Sequence, residues 1–424
     1  MTTPTLKGSI QVPGDKSISH RAIIFGAIAE GDTHVKNFLR SNDCLATLQA
    51  FRQMGVSIDE QGGELIVHGV GLNGLSASSA DLNMQNSGTS TRLLAGLLAG
   101  QDFKSRMIGD ASLSKRPMDR VIAPLTQMGA ELAATEGHLP MTVKGQALHG
   151  INYRLPVASA QVKSAILLAA LTAEDETVIE EPLPCRDHSE RMLALFSPES
   201  IEQTGDKIHI RPGYPLKGQE VLVPSDISSA AFFLVAGAIV PGSKITIESV
   251  GMNPTRTGII KLLEQMDADL TIDSIDTAGE PMANLTIQAG PLKPFNITEE
   301  DIPALVDEVP ILALLAARAD GVSTISGAAE LRVKESDRLA AIATEFKKLG
   351  IQIEEKPDGL IITGSTEPLH VADKQLESYG DHRIAMTLKV ASLLTDQAVN
   401  IRDEDCMAVS YPNFTKDLNQ LLRK

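Results

Sequence analysis

Tryptophan is absent from this 424-residue chain, and aromatic residues make up only 3% of it. Its core must therefore be filled by Leu, Ile, Val, Ala and Met rather than organised around large rings. Cysteine is nearly as scarce: Cys44, Cys185 and Cys406 stand far apart, with no CxxC pair. That excludes a disulfide framework and a zinc site built on paired thiolates, and it suits reduced thiols in a cytoplasmic protein. No apolar run reaches membrane-spanning length, and the segment MTTPTLKGSIQVPG lacks the apolar stretch of a secretion signal. A net charge of −16 argues against nucleic acid or an anionic membrane as a partner, because such binding rests on basic surfaces. There is no GxxxxGK[ST] loop, no His pair at metal-ligand spacing and no convincing Ser/His/Asp order.

What is present is repetition. GDKSISHRAIIFGAIAEG from Gly14, NSGTSTRLLAGLLAG from Asn86 and VASAQVKSAILLAALTA from Val157 share one design. So do PSDISSAAFFLVAGAIVPG from Pro224, LVDEVPILALLAARADG from Leu305 and GDHRIAMTLKVASLLTD from Gly380. Each is a small polar cluster followed by an Ala/Leu-rich apolar run, and the spacing is roughly seventy residues. The polar end stands where a helix would begin, so six helix N-termini could aim their positive dipole ends at a common space and bind anions.

A second element recurs between these. TLQAFRQMGVSIDEQGGELIVHG, VIAPLTQMGAELAATEGHLPMTVKG and LAAIATEFKKLGIQIEEKPDGLIITG each read as a helix, a glycine stop and two alternating strands. GIIKLLEQMDADLTIDS with ANLTIQAG follows the same plan. A degenerate copy at Glu190 is interrupted by SPES, and the sixth copy, NFTKDLNQLLRK, reads as a terminal helix alone. Six such units predict an α/β protein divided three and three. The breaks at Pro13-Gly14 and Pro224-Ser225 place one domain at residues 15–224 and the other at 1–14 plus 225–424.

The basic residues gather in the polar clusters: Lys16, Arg21, Arg92, Arg116, Arg120, Lys163, Arg186, Arg332, Lys334, Arg338 and Arg383. An acidic chain with local cationic pockets predicts a small polyanionic ligand; ordinary salt-bridged surface charge is the bland alternative. In GDKSISHR, Lys16 supplies a point charge, Ser17 and Ser19 supply hydroxyls, and Ser17 and Arg21 share a helix face at i,i+4. In NSGTSTR, Gly88 lets backbone N–H groups approach an anion. In KRPMDR, Arg116 and Arg120 flank a stiffening proline and could grip a carboxylate or phosphate. In RVKESDR, helical spacing puts Lys334 and Arg338 on one face with Glu335 beside them. As a proton donor Glu335 would need its pKa raised by desolvation or substrate charge. Asp307 and Glu308 head an apolar helix, either as dipole-favoured acids or with one of them as a general base near an anion. His382, in Asp381-His382-Arg383, is a ligand contact or a cap-region histidine.

VPGDKSISHR, NSGTSTR, SKRPMDR, ASAQVKS, CRDHSERM, LVDEVP, RVKESDR and GDHRIAM, in this order and spacing, resemble the 5-enolpyruvylshikimate-3-phosphate synthase family end to end. The resemblance implies a two-domain inside-out α/β barrel built from six βαβαββ repeats, three per domain, with an interdomain cleft. It also puts the N-terminal strand in the C-terminal domain. The implied reaction moves the enolpyruvyl group of phosphoenolpyruvate to the 5-hydroxyl of shikimate 3-phosphate and releases phosphate. Those two substrates would be its partners, with the chain a cytoplasmic monomer and with no cofactor or metal. By the same resemblance Lys16, Ser17, Arg21, Ser159, Ala160, Gln161, Arg186, Asp307 and Lys334 would contact shikimate 3-phosphate. Lys16, Gly88, Arg116, Gln161, Arg338 and Arg383 would surround phosphoenolpyruvate. Asp307 with Lys16 would remove the hydroxyl proton, and Glu335 would protonate the enol methylene.

The chain departs from its relatives in places. Val409 occupies a position where some have a lysine, Glu330 one where some have asparagine, and Cys185 one where Ser or Thr is common. Gly88 leaves the room that glyphosate, an analogue for the phosphoenolpyruvate site, would need. Two rivals share some features. The enolpyruvyl transferase acting on a UDP-amino sugar normally reads GAKN, with a reactive Cys in its mobile loop, where this chain has GDKS and no Cys in KRPMDR. A non-catalytic repeat scaffold would explain the repetition but not the acid beside lysine in RVKES.

Overall fold

The computed structural model describes residues 4–275 and 280–423. The chain forms two compact units. The first is Gly14–Val223; the second combines the described residues up to Pro13 with those from Pro224 onward. Among the described residues no helix is long and apolar enough to cross a membrane.

In the first unit the helices are α1 (Lys16–Ala27), α2 (Asn42–Gln53), α3 (Gly88–Ala99), α4 (Asp119–Gln127), α5 (Ala160–Ala170) and α6 (His188–Phe196). Helices α1, α3 and α5 are the apolar runs, and they are buried on nearly every side. Their small residues permit close approach. A Cβ on Gly96 of α3 would lie 2.0 Å from the Ala165 carbonyl oxygen of α5, so only glycine fits that crossing. Helices α2 and α4 instead bury one face, as their mixed composition dictates.

Three four-stranded sheets cover this helical core, and all follow one plan. The first runs Glu220–Leu222, Glu30–Lys36, Glu64–Val70, Ser57–Gln61, with Val221 opposite Val35 in a parallel edge pair and antiparallel pairing thereafter. The second runs Leu82–Asn83, Lys104–Ile108, His138–Lys144, Glu131–Thr135. The third runs Asn152–Arg154, Thr177–Glu180, Lys207–Ile210, Ile201–Thr204. The SPES segment does not break the third copy as its sequence suggests. Pro198–Ser200 forms a 3₁₀ turn that leads straight into the hairpin.

The second unit holds α7 (Ile227–Ile239), α8 (Gly258–Gln265), α9 (Ile302–Leu305), α10 (Val309–Ala316), α11 (Arg338–Lys348), α12 (His382–Ala391) and α13 (Phe414–Leu421). Every residue of α7 and α10 is buried. One four-stranded sheet repeats the plan of the first unit, in the order Asn296–Ile297, Val322–Ile325, Gly359–Thr363, Gln352–Lys356. The others differ. A two-stranded parallel sheet pairs Gln375–Glu377 with Asn400–Arg402. A five-stranded sheet takes in the N-terminal strand Thr5–Ile10, with Lys7 opposite Lys244 in parallel pairing. The terminal segment is more than a helix: after α13, Leu422–Arg423 turns back to pair antiparallel with Thr5 and Leu6.

Five of the six polar clusters begin their helices with a side-chain cap, as short polar residues at that position favour. Asp15, Ser87, Ser159, Asp226 and Asp381 each accept a first-turn backbone N–H. At α1, α7 and α12 the cap is a carboxylate, which already satisfies the helix dipole. At α3 and α5 it is a neutral serine hydroxyl.

Candidate active site

Each unit carries its own connected group of polar side chains. In the first unit Arg21, almost fully buried in α1, donates to Ser189 Oγ at 2.7 Å, Ser164 Oγ at 2.8 Å and the Ser17 carbonyl at 3.0 Å. Lys16, half-buried at the first position of α1, pairs with Asp43 of α2 at 3.2 Å. Gln161 of α5 accepts from Arg92 of α3 at 2.7 Å and donates to Thr89 Oγ1 at 3.1 Å. Arg116 donates to Asn86 Oδ1 at 2.6 Å. Two guanidiniums crowd the first residue of α3: a Cβ on Gly88 would lie 2.8 Å from Arg92 Nη1 and 3.5 Å from Arg116 Nη1. Ser159 caps α5 and Ala160 is its first residue, both half-buried. Arg186 lies half-buried on the loop before α6.

Below these termini runs a buried chain of neutral groups. His20 Nδ1 meets Thr47 Oγ1 at 2.7 Å, Thr47 meets Ser90 Oγ at 2.6 Å, and Ser90 Oγ donates to Ser87 Oγ at 2.7 Å. Burial, aided by the positive charges of Lys16 and Arg21, lowers the His20 pKa to about 3, so the imidazole is neutral. The chain ties α1, α2 and the cap of α3 together.

In the second unit the partners are charged. Arg338, fully buried at the start of α11, donates to Asp381 Oδ2 at 2.8 Å and to Glu335 Oε2 at 2.7 Å. Its Nη1 lies 3.7 Å from Asp307, and Arg383 Nη2 lies 3.6 Å from the other oxygen of that carboxylate. Arg383 also donates to the Asp307 carbonyl at 3.1 Å. Burial alone would drive Arg338 and Asp381 toward neutrality. Their mutual attraction reverses this, raising the Arg338 pKa and lowering that of Asp381.

Two expectations are corrected. RVKESDR is not one helix: Ala329–Val333 is a 3₁₀ turn, Lys334 leaves helical geometry and α11 starts only at Arg338. Lys334 therefore pairs with Glu330 at 2.7 Å, while Glu335 reaches Arg338 from the loop. The cap at Asp337, which accepts the Ala340 N–H, fixes that break. Lys163 is no open pocket cation but is enclosed between Glu181 at 2.7 Å and Glu190 at 2.6 Å. Arg120 is exposed at the start of α4, and Val409 ends a 3₁₀ turn, Glu404–Val409.

Sequence reasoning missed several participants. Asp43, Thr47, Ser90, Ser164 and Ser189 are common residue types that become meaningful only as partners. Arg256 donates to Ser228 Oγ at 2.7 Å and lies 3.3 Å from Asp226; Ser228 in turn bonds Glu308. This buried cluster joins the starts of α7 and α10 beside Asp307. A lone arginine in MNPTRTG gave no signal of it. Among the described residues no group of three His, Cys, Asp or Glu side chains is placed to hold a metal ion.

The sequence profile of the family described as EPSP synthase (3-phosphoshikimate 1-carboxyvinyltransferase) matches residues 2–418. The chain belongs to the EPSP synthase family. A 3-phosphoshikimate 1-carboxyvinyltransferase of Leuconostoc mesenteroides is 53% identical over 423 residues, which cover 99% of this chain and 97% of that EPSP synthase. The enzyme of that name from Limosilactobacillus fermentum is 50% identical over 418 residues, 98% of this chain and 96% of the relative. A solved structure of EPSP synthase from Acinetobacter baumannii superposes with a TM-score of 0.88 at 48% identity, covering 100% of this chain and 98% of that one. Membership of the EPSP synthase family sets aside the scaffold reading.

Proposed function

We propose that this chain performs the reaction its family is named for with the residue sets described above. The enolpyruvyl group of phosphoenolpyruvate passes to the 5-hydroxyl of shikimate 3-phosphate, giving 5-enolpyruvylshikimate 3-phosphate and phosphate. In the first step Glu335 gives a proton to the methylene carbon of phosphoenolpyruvate. The adjacent carbon becomes cationic, and the 5-hydroxyl oxygen attacks it as Asp307, with Lys16, takes the hydroxyl proton. In the second step the methyl group returns a proton, the C–O bond to phosphate breaks, and the enol ether forms. Both substrates are polyanions, so Arg21, Arg186 and Lys334 on one and Arg116, Arg338 and Arg383 on the other supply charge complementarity.

The observation that carries this assignment is the Asp307 carboxylate lying between Arg338 at 3.7 Å and Arg383 at 3.6 Å, with Glu335 on the same Arg338. Two carboxylates sharing one guanidinium can exchange roles as acid and base while their charge stays balanced. Three further members of the proposed sets, Ser17, Ser159 and Gln161, lie at the starts of α1 and α5, where hydroxyl and amide groups can orient a sugar-like ring.

The finer architecture belongs to the same proposal: six βαβαββ repeats, three in each unit, forming two inside-out barrels. The shared plan of the four-stranded sheets supports it. We further propose that the chain acts as a monomer, which sedimentation at working concentration tests. The decisive assay is phosphate release from phosphoenolpyruvate with and without shikimate 3-phosphate. Release that depends on the second substrate is expected, and glyphosate should compete with phosphoenolpyruvate. Release that ignores shikimate 3-phosphate would overturn the reading.

A further inference from the structure

One ammonium holds both ends of the loop that carries Arg186. Lys163 lies in α5 with 0% of its side chain exposed, 2.7 Å from Glu181 and 2.6 Å from Glu190. Glu181 directly follows the strand Thr177–Glu180, and Glu190 lies in the first turn of α6. The two carboxylates therefore bracket the whole connection between strand and helix. Glu181 Oε1 also accepts the Cys185 N–H at 2.9 Å, which pins the residue before Arg186. A second tie lies one residue along each helix, where Ser164 and Ser189 meet at 2.7 Å and Arg21 donates to both.

Burial works to discharge Lys163, but Glu190, Cys185 and Glu181 raise its pKa above the ordinary lysine value. Burial raises the Glu190 pKa, against the pull of Lys163. A buried cluster of one cation and two carboxylates is a poor source of stability compared with apolar packing. Its value lies in geometry, because each bond is short, directional and anchored on a different element.

We propose that Lys163 is a positioning residue that fixes the Arg186 loop, and the start of α5 with it, in the register that binds shikimate 3-phosphate. This rests on the substrate reading given above. The residues tied by the clasp, Arg21, Ser159 and Arg186, all belong to the set assigned to that substrate. Gly88, Arg116, Arg338 and Arg383, assigned to phosphoenolpyruvate alone, lie outside it, while Gln161 at the start of α5 is shared by both sets. The clasp thus acts chiefly on one substrate.

The test is steady-state kinetics on the full chain for Lys163→Met, Glu181→Ala and Arg186→Ala, with melting curves alongside. Lys163→Met strands two buried carboxylates and costs stability. Glu181→Ala leaves one cation with one carboxylate, so it keeps the test open if the first variant does not fold. Both should raise the KM for shikimate 3-phosphate about tenfold, since small misplacements of a binding group are expensive. The KM for phosphoenolpyruvate should rise less, about twofold, because Gln161 is the one member of its set on α5. Lys163→Arg, which keeps the charge and both partners, should recover most of the loss. If Arg186→Ala raises the KM for shikimate 3-phosphate but neither clasp variant does, the clasp is overturned. Equal rises for both substrates also overturn it, since they report general loosening. If Arg186→Ala itself leaves that KM unchanged, the substrate reading fails and the clasp with it.

Discussion

Arg21 of the first unit and Arg338 of the second are held in different ways. Arg21 of the first unit is fixed by two serine hydroxyls and a carbonyl. Arg338 of the second is fixed by Asp381 and Glu335, with Asp307 close by. Neutral oxygens orient a guanidinium without cancelling its charge, so a cation held that way can still serve an anionic substrate. Carboxylates offset part of it, and such a cluster adds proton acceptors and donors in a fixed array. On the proposed assignments, Arg21 of the first unit serves anion binding, and Asp307 and Glu335 of the second serve proton transfer.

The largest effect should come from breaking the proton-transfer array. Asp307→Ala should lower kcat by about 10²–10⁴-fold, the range of general acid–base catalysis, with the melting temperature little changed. Near-normal turnover would remove Asp307 from its role. Next is the contrast between the two arginines themselves. Arg338→Met leaves the buried Asp381 carboxylate without its cation and should cost about 3–5 kcal/mol of stability in denaturant titrations. Arg21→Met loses hydrogen bonds to neutral oxygens and should cost about 1–3 kcal/mol, while raising the KM for shikimate 3-phosphate. Equal stability losses would erase the distinction.

A third comparison uses acid. His20 is neutral in the folded chain down to about pH 3, while in the unfolded chain it takes up a proton below its ordinary value near 6.5. The unfolded state then binds more protons, so stability falls as pH drops from 6.5 toward 3. By pH 4.5 the loss from this one group is about 2–3 kcal/mol. Asp381, with its pKa lowered below 3.8, gives stability that is present above that pH and lost only beneath it. The first unit should therefore weaken between pH 6.5 and 4.5 before the Arg338 cluster does. In melting curves across that range, His20→Gln should show a flatter acid limb than the parent chain. A parallel limb would mean that His20 is not the titrating group.

The smallest effect is expected at Gly88. An added methyl would press on Arg92 Nη1 at 2.8 Å, the flexible end of a side chain that can yield by giving up part of its bond to Gln161. Gly88→Ala should raise the KM for phosphoenolpyruvate about fivefold, equivalent to about 1 kcal/mol of overpacking. An unchanged KM would show that Arg92 moves without consequence.

The two units were not equally legible. In the first, the polar clusters mark helix starts, and the i,i+4 relation of Ser17 to Arg21 survives in α1 because nothing interrupts that helix. In the second, RVKESDR reads as helical by spacing, yet Asp337 caps α11 and cuts the pattern. Periodicity describes a face only within a continuous helix, and a capping aspartate is also an ordinary helix residue. Lys163 misled for a different reason. Beside Ser and Gln it looks like a pocket cation, but Glu181 and Glu190, which enclose it, lie 18 and 27 residues away in the chain.

The order of residues alone determined where the apolar helices begin, which runs are buried, and that eight short motifs in one sequence belong to the EPSP synthase family. Those properties depend on local capping and on apolar content, which neighbouring residues carry among themselves. Tertiary structure alone decided which charges are spent on one another and which are held by neutral oxygens. It also decided that a strand from each terminus shares one sheet. A charge takes its meaning from whatever lies within about 4 Å of it, and that distance is set by how helices pack rather than by how far apart their residues are written.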